Sequence, residues 1–433
     1  MDIYVVSPSP EVEDEYEKLV RRMNPPQVVV DNQTCKNATV VQVHSTNRPS
    51  LLLEIVQVLS DLDLVVTKAH ISSDGRWFMD VFKVTDQDGN KIFDQGILDF
   101  IQKALGPDSC LGSTKKSISV TQSEDHTAIE LTGCDRPGLL SEISAVLTHL
   151  KCNVLSADLW THNSRVAAVM HVTDEVTGSA VSDPDCLSKI KELLHNVLRG
   201  WDKSGCASTT ISHGVTLNAR RLHQMMLADR DYEGVPADGQ RPKVEIVDWH
   251  DKDYSIVTIR SKDRPKLLFD TVCTLTDMQY VVFHASIDTE GPEANQEYYI
   301  RHKDGSPVKT DAERERLVRC LVAAIQRRAS QGLRLELCTS DRVGLLSNVT
   351  RIFRENSLTV TRAEVATKDG KALNTFYVND MSGNPVDSKT IECVRKSMGE
   401  AILKVKGYPP GDANSPRQGS FPSWFVFGRL FRS

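Results

Sequence analysis

Asp135-Arg136-Pro137-Gly138-Leu139-Leu140 is a stretch that this chain of 433 residues writes four times. The other copies are Asn47-Arg48-Pro49-Ser50-Leu51-Leu52, Asp263-Arg264-Pro265-Lys266-Leu267-Leu268 and Asp341-Arg342-Val343-Gly344-Leu345-Leu346. Each copy follows a short run of β type and opens an amphipathic run of helical period. The repeated unit is therefore a strand that passes through a polar turn into a helix.

Registers further along agree as well. Counted from the Asp or Asn of each turn, Ile55, Ile143, Thr271 and Val349 stand eight positions on, and Leu59, Leu147, Leu275 and Phe353 twelve on. An alanine stands twenty-two on in every copy (Ala69, Ala157, Ala285, Ala363), and a β-branched residue thirty-seven on (Val84, Val172, Ile300, Val378). Around the first turn, residues 39–44 alternate as a strand and residues 49–60 carry a helical period through Leu52, Ile55, Val56 and Leu59. Residues 64–71 and 77–84 are strands about a hairpin turn at 73–76, residues 97–105 a second helix, and residues 117–120 a closing strand. The order β-α-β-β-α-β is the split βαβ pattern.

The turns begin at 47, 135, 263 and 341, giving intervals of 88, 128 and 78 residues. The shortest interval fits one unit with almost no linker, so the third and fourth units share or forgo a closing strand. The long interval adds a stretch around 205–250, with a helix at 217–229 and a loop at 233–240, and suggests two pairs, one with two and three with four. The expected boundaries are units at 36–122, 123–204, 251–330 and 331–408, a linker with a helix at 205–250, and a linker plus hydrophobic tail at 409–433. An acidic lead-in with a short helix at 12–23 precedes them. The tail, Phe421 to Ser433, reads either as docked on its own domains or as an anchor for a partner or membrane surface.

Composition narrows the class. The chain is 40% hydrophobic and 25% charged, as in an ordinary globular protein, and its net charge of −6 gives no reason to expect nucleic acid as a partner. No apolar run of membrane-spanning length occurs. Glu11, Glu13, Asp14, Glu15 and Glu17 argue against a signal or transit peptide. Ten cysteines without a Cys-x-x-Cys pair read as core residues in a reducing compartment, cytosol or nucleus. The scattered histidines, His250-Asp251 included, lack metal-ligand spacing, so no metal or other cofactor is expected. No phosphate loop or nucleophile elbow appears either, which argues against an enzyme. Five arginines at 314, 316, 319, 327 and 328 read as the solvated face of an amphipathic helix.

The turn itself has a structural reading. Asp or Asn caps a helix start, proline fits its first turn, and the two leucines enter the core. Gly138 and Gly344 are open either to packing or to a ligand approaching the backbone N–H groups. Ser50 and Lys266 block that approach in units one and three. Pairing one with two and three with four gives each pair one permissive and one blocked loop.

These units resemble ACT domains, small regulatory modules that bind amino acids, over most of residues 36–408. Four units without an attached enzyme look like the plant ACR (ACT domain repeat) proteins, and the single units are similar to the C-terminal pair of the bacterial glutamine-sensing uridylyltransferase. That relative's Asp-x-Asp after Gly-Ser is missing here, where Gly112-Ser113 is followed by Thr114-Lys115-Lys116. The resemblance implies an α+β fold of four tandem ferredoxin-like βαββαβ units in two pairs. It also implies a ligand between the β1–α1 turn of one unit and the start of β2 in its neighbour. The ligand-binding residues are then Asp135, Arg136, Gly138, Asn153, Asp341, Arg342 and Gly344. Asn153 stands where many ACT domains place an asparagine, whereas the equivalents are Val65, Val281 and Thr359. The function implied is non-enzymatic regulation: an amino acid, glutamine first, is bound and signalled to a protein partner, and chains can associate through their sheets. The alternative is a protein-interaction scaffold whose units bind no ligand.

Overall fold

In the computed structural model the described residues are 26–46, 51–74, 77–106, 126–200, 207–212, 217–233, 241–248, 253–329, 332–399 and 403–406. The expected helix at 12–23, closing strand at 117–120 and C-terminal tail lie outside them, as does the loop expected at 233–240 except for Glu233, which ends a short 3-10 turn, Asp231–Glu233. The chain divides into two compact units, each built on an eight-stranded antiparallel sheet.

The first unit holds repeats one and three. Repeat one comprises β1 (Gln27–Asp31), β2 (Thr39–Thr46), α1 (Leu51–Asp61), β3 (Val65–Asp74), β4 (Trp77–Thr85) and α2 (Gln95–Leu105). Repeat two follows with β5 (Thr127–Cys134), α3 (Leu139–His149), β6 (Cys152–His162), β7 (Arg165–Asp174), α4 (Pro184–Arg199) and β8 (Ser208–Ser212), and then comes α5 (Asn218–Ala228). Repeat three has β9 (Lys243–Asp248), β10 (Ser255–Lys262), α6 (Leu267–Asp277), β11 (Tyr280–Glu290), β12 (Glu293–His302) and α7 (Asp311–Arg327). Repeat four closes with β13 (Leu333–Ser340), α8 (Leu345–Glu355), β14 (Leu358–Lys368), β15 (Lys371–Asp380), α9 (Ser388–Met398) and β16 (Leu403–Lys406). One sheet runs β1-β2-β4-β3-β11-β12-β10-β9, the other β16-β13-β15-β14-β6-β7-β5-β8.

Four ferredoxin-like units in two pairs are present as expected, but the pairs are one with three and two with four. The sequential pairing fails because the strand that joins neighbours is the one after the first helix. β3 pairs antiparallel with β11, and β6 with β14. Edge strands differ too. Repeats two and four take theirs from behind, β8 and β16, whereas repeats one and three take β1 and β9 from ahead of their turns. The stretch 205–250 is thus not only a linker with a helix, since it supplies an edge strand to repeat two and another to repeat three. Repeat one accordingly begins before residue 36, repeat two continues past 204, and repeat three begins before 251.

The repeat registers become the cores. The residues eight, twelve, twenty-two and thirty-seven positions past each turn are all buried, because they sit on the inner helix face and on the sheet face beneath it. Each repeat also bulges between β3-type residues nineteen and twenty-one past the turn: Val66/Lys68, Val154/Ser156, Val282/His284 and Val360/Arg362. A bulge leaves one residue out of the ladder. For the bulges of repeats one and four the partner repeat supplies a bond: Thr289 Oγ1 donates to the Thr67 carbonyl at 2.5 Å and Thr161 Oγ1 to the Thr361 carbonyl at 3.0 Å.

In the second unit α5 covers the outer sheet face at repeat two, where Leu222, Met225 and Met226 pack on Trp160, Ala167 and Val169. Beside it the Arg327 guanidinium forms a two-pronged ion pair with Asp231, at 2.5 and 2.6 Å, and contacts His223 Nδ1 at 2.9 Å. Arg328 stacks 5.0 Å over the Trp160 ring. These two arginines are buried, so the α7 face is not wholly solvated as its charge run suggests. A fully buried pair is costly to break because the survivor is left charged in a dry site. Asp231→Ala is expected to lower stability by about 3–5 kcal/mol, and the double change Asp231→Leu with Arg327→Met to recover most of that loss. Urea unfolding followed by Trp fluorescence checks both.

Candidate functional site

The repeated turn is a β-turn rather than a capped helix start. Leu139 N–H donates to the Arg136 carbonyl at 3.2 Å, Leu267 to Arg264 at 3.3 Å and Leu345 to Arg342 at 3.1 Å. The third turn residue is left-handed in each: Gly138 at φ 80° and ψ 0°, Lys266 at 65° and 12°, Gly344 at 76° and 3°. That is the signature of a type II turn, for which Pro and Gly are the fitting central residues. No side chain caps α3, α6 or α8, so the aspartates do not play the capping role expected of them. Asp341 instead accepts from its neighbour Arg342 N–H and from Thr367 Oγ1, both at 2.9 Å.

Because repeat two pairs with repeat four, both glycine turns fall in one unit. Each faces its partner repeat. A Cβ on Gly138 would stand 2.9 Å from Arg354 Cδ, and one on Gly344 would stand 3.3 Å from Thr148 Cγ2. Backbone conformation and close packing therefore account for the glycines without a ligand. The expectation of one permissive and one blocked turn per pair is overturned.

Two clefts result. The first, with about 370 Å³ of space open to solvent, joins the repeat-four turn (Asp341, Arg342, Gly344) to α3 and to Asn153 at the start of β6. The second, of about 340 Å³, joins the repeat-two turn (Asp135, Arg136, Gly138) to Leu358 and Val360 at the start of β14. The seven residues singled out in the sequence thus divide between the two. Asn153 serves the turn of repeat four, not that of repeat two.

The clefts differ in chemistry. Arg136 is engaged, with Nη1 2.7 Å from Glu142 Oε1, Nη2 2.5 Å from Glu142 Oε2 and 3.1 Å from the Val197 carbonyl. Arg264 does the same in repeat three, 2.7 Å from both the Asp270 carboxylate and the Ile325 carbonyl. Repeat four has Asn348 in place of that acid. The Arg342 guanidinium is exposed and makes no hydrogen bond or ion pair among the described residues. Deeper in the first cleft Asn374 is buried, its Oδ1 without a partner. Sequence reading missed Asn374, which stands thirty-three positions past its turn on an otherwise apolar strand face. In the second cleft burial pushes the Asp135 carboxyl up to about 6, the Arg136 backbone N–H and charge opposing the rise.

The corresponding place in the first unit is filled by the chain itself. Lys266 Nζ reaches Asp63 Oδ1 at 2.9 Å, just ahead of β3, with both side chains mostly buried. The turn of repeat one lies outside the described residues. Among the described residues no group of three or more His, Cys, Asp or Glu could hold a metal ion.

Residues 34–112 match the ACR family N-terminal ACT domain. ACT domain-containing protein ACR4 of Arabidopsis thaliana is 62% identical over 98% of this chain and 96% of its own length. ACT domain-containing protein ACR5 of the same plant is 58% identical over 100% and 98%. A bifunctional uridylyltransferase/uridylyl-removing enzyme of Gluconobacter oxydans (strain 621H) is 28% identical over 37% of this chain and 19% of its own length.

The Asp135 carboxyl gives a pH test. Its usual value is 3.8, so between there and about 6 the folded chain holds a proton that the unfolded chain releases. Its contribution is full below pH ~4 and is lost as pH rises through ~6. His162, held down to about 4 by burial, works in the opposite direction, so comparison with a neutral variant isolates Asp135. Asp135→Asn should gain on the parent by about 1–3 kcal/mol between pH ~4 and ~7. Urea unfolding across that range measures the gain, and parallel pH profiles would count against it.

Proposed function

The chain belongs to the ACR family of ACT domain-containing regulatory proteins, and we propose that it acts without catalysis by binding an amino acid in the first cleft and signalling this to a protein partner. The observation that carries the reading is the state of the turn arginines. Arg136 and Arg264 are held by an acid and a helix-end carbonyl, whereas Arg342 stands free at a cleft that also presents Asn153, Asn374 and Asp341. A guanidinium pairs well with the carboxylate of a free amino acid. The Asp341 carboxylate retains lone pairs for an ammonium group, and the two amides can address a side chain. Glutamine is the first candidate through the ACT resemblance.

The mechanism follows from the narrowness of the cleft. Its enclosed part has room for about one water molecule. An amino acid is larger, so its entry parts the repeat-four turn from α3 and the start of β6. The ligand thus acts on the packing of the two repeats, and it shifts their arrangement only by its differential affinity for the closed and parted forms. The surface offered to a partner changes with that arrangement.

One observation favours a second reading for half of the molecule. The Lys266–Asp63 pair fills the equivalent place in the first unit, which suits a ligand-independent scaffold. A single responsive unit and a locked one together make a sensor with one variable face.

Thermal unfolding of the full chain with each of the twenty amino acids tests the proposal. Ligand at 100 times its dissociation constant adds about 2.7 kcal/mol to the unit that binds it. Arg342→Ala should weaken binding by about 1.5–3 kcal/mol, the range for a hydrogen bond to a charged group. Gly344→Lys, which copies the arrangement at Lys266, should abolish it. Absence of any shift at millimolar ligand would favour the scaffold reading for both units.

A further inference from the structure

We propose that Asn374 determines which side chain the first cleft accepts, selecting ligands whose side chain brings a hydrogen-bond donor. This inference rests on the amino-acid reading above. Asn374 lies on β15, opposite Leu337 on one side and Val365 on the other. Its strand neighbours on the same face, Ala372 and Phe376, are core residues. Asn374 is only 3% exposed, and its Oδ1 is buried without a partner while lining the cleft. A buried acceptor left unbonded pays its full desolvation penalty with no return in the folded state. A donor arriving with a ligand removes that penalty.

Repeats two and three show that the position does not demand this arrangement. Repeat three has Gln296 there, whose Oε1 accepts from Thr271 Oγ1 at 3.0 Å and from the Tyr298 hydroxyl at 2.5 Å. Repeat two has Ala168, and the second cleft is walled by Leu159 and Val166 instead. A polar residue at this register is thus satisfied within the chain in repeat three, absent in repeat two, and in repeat one is Asp80, a buried carboxyl whose oxygens also lack a partner. Only at the open cleft with the free Arg342 does an amide stand buried and unbonded among the described residues. The two clefts of one unit, related by the repeat, are therefore chemically unlike. The first has a hydrogen-bonding wall and the second an apolar one.

Glutamine, glutamate and leucine separate the possibilities, because they have similar length or bulk but present a donor, only acceptors, and neither. Binding of each to the full chain is measured by calorimetry for the parent, for Asn374→Leu and for the smaller Asn374→Ala. The parent is expected to bind glutamine at least tenfold more tightly than glutamate or leucine. Either variant should erase that preference, and the ligand-free variants should unfold at or above the parent's temperature because an unbonded amide has been removed. Glutamate bound in preference to glutamine, or a preference unchanged in both variants, would overturn the role of Asn374 and leave the amino-acid reading standing. A marked loss of stability in both ligand-free variants would also overturn it, by showing that the amide is already satisfied. Parent protein that binds none of the twenty amino acids would remove the binding reading and this inference together.

Discussion

Everything in this molecule depends on the antiparallel pairing of one strand per repeat with its counterpart two repeats away. β3 with β11 and β6 with β14 turn pairs of four-stranded sheets into continuous eight-stranded ones. A single ferredoxin-like unit would leave that strand as an open edge, which proteins avoid exposing. In each unit one bulge, in β3 or in β14, places a carbonyl outside its own ladder, and a threonine of the partner repeat bonds it. The same pairing brings the helices after the turns side by side, and so sets each turn against the start of the partner's bulged strand. The clefts are consequences of the sheet.

Four copies of one turn have diverged within that frame. The arginine is structural where an acid follows six positions later, as at Glu142 and Asp270, and free where that position is Asn348. The left-handed residue is glycine where the partner helix packs against it and lysine where the side chain reaches a carboxylate instead. Small exchanges at fixed geometry therefore decide whether a turn is a wall, a lock or a mouth. Burial of polar groups marks the difference: Asp135 is held protonated to higher pH, Gln296 is bonded internally, and Asn374 is left waiting.

Much of this was legible in the sequence. Period and spacing located the strands and helices of each repeat, since those signals are local and the same residues recur in the cores. The identity of the partner was not legible, because nothing in β3 or β6 distinguishes a neighbour 88 positions on from one further away. The edge strands of repeats one and three were missed for a related reason. A short strand ahead of a turn reads as a lead-in until a sheet edge is seen to need it. The Asp was read as a helix cap and the proline as a first-turn residue although Pro-Gly carried the pattern of a type II turn, and the wrong template hid the left-handed residue. Asn153 and the repeat-four turn were both singled out in the sequence, yet their meeting in one cleft required the pairing. Asn374 gave no signal beyond one polar residue in an alternating strand, and its importance lies in what surrounds it.

The alternate pairing also has a consequence in time. The threonines that bond the two bulges are 222 and 200 positions from the carbonyls they serve. At ribosomal rates of about 5–20 residues per second, a gap of this size is on the order of 10–40 seconds of synthesis. Throughout that interval repeats one and two exist without the strands that complete their sheets. Two nascent edges of similar shape, β3 and β6, are then exposed on one chain and also on its neighbours on the same message. Each must decline the other and wait for β11 and β14.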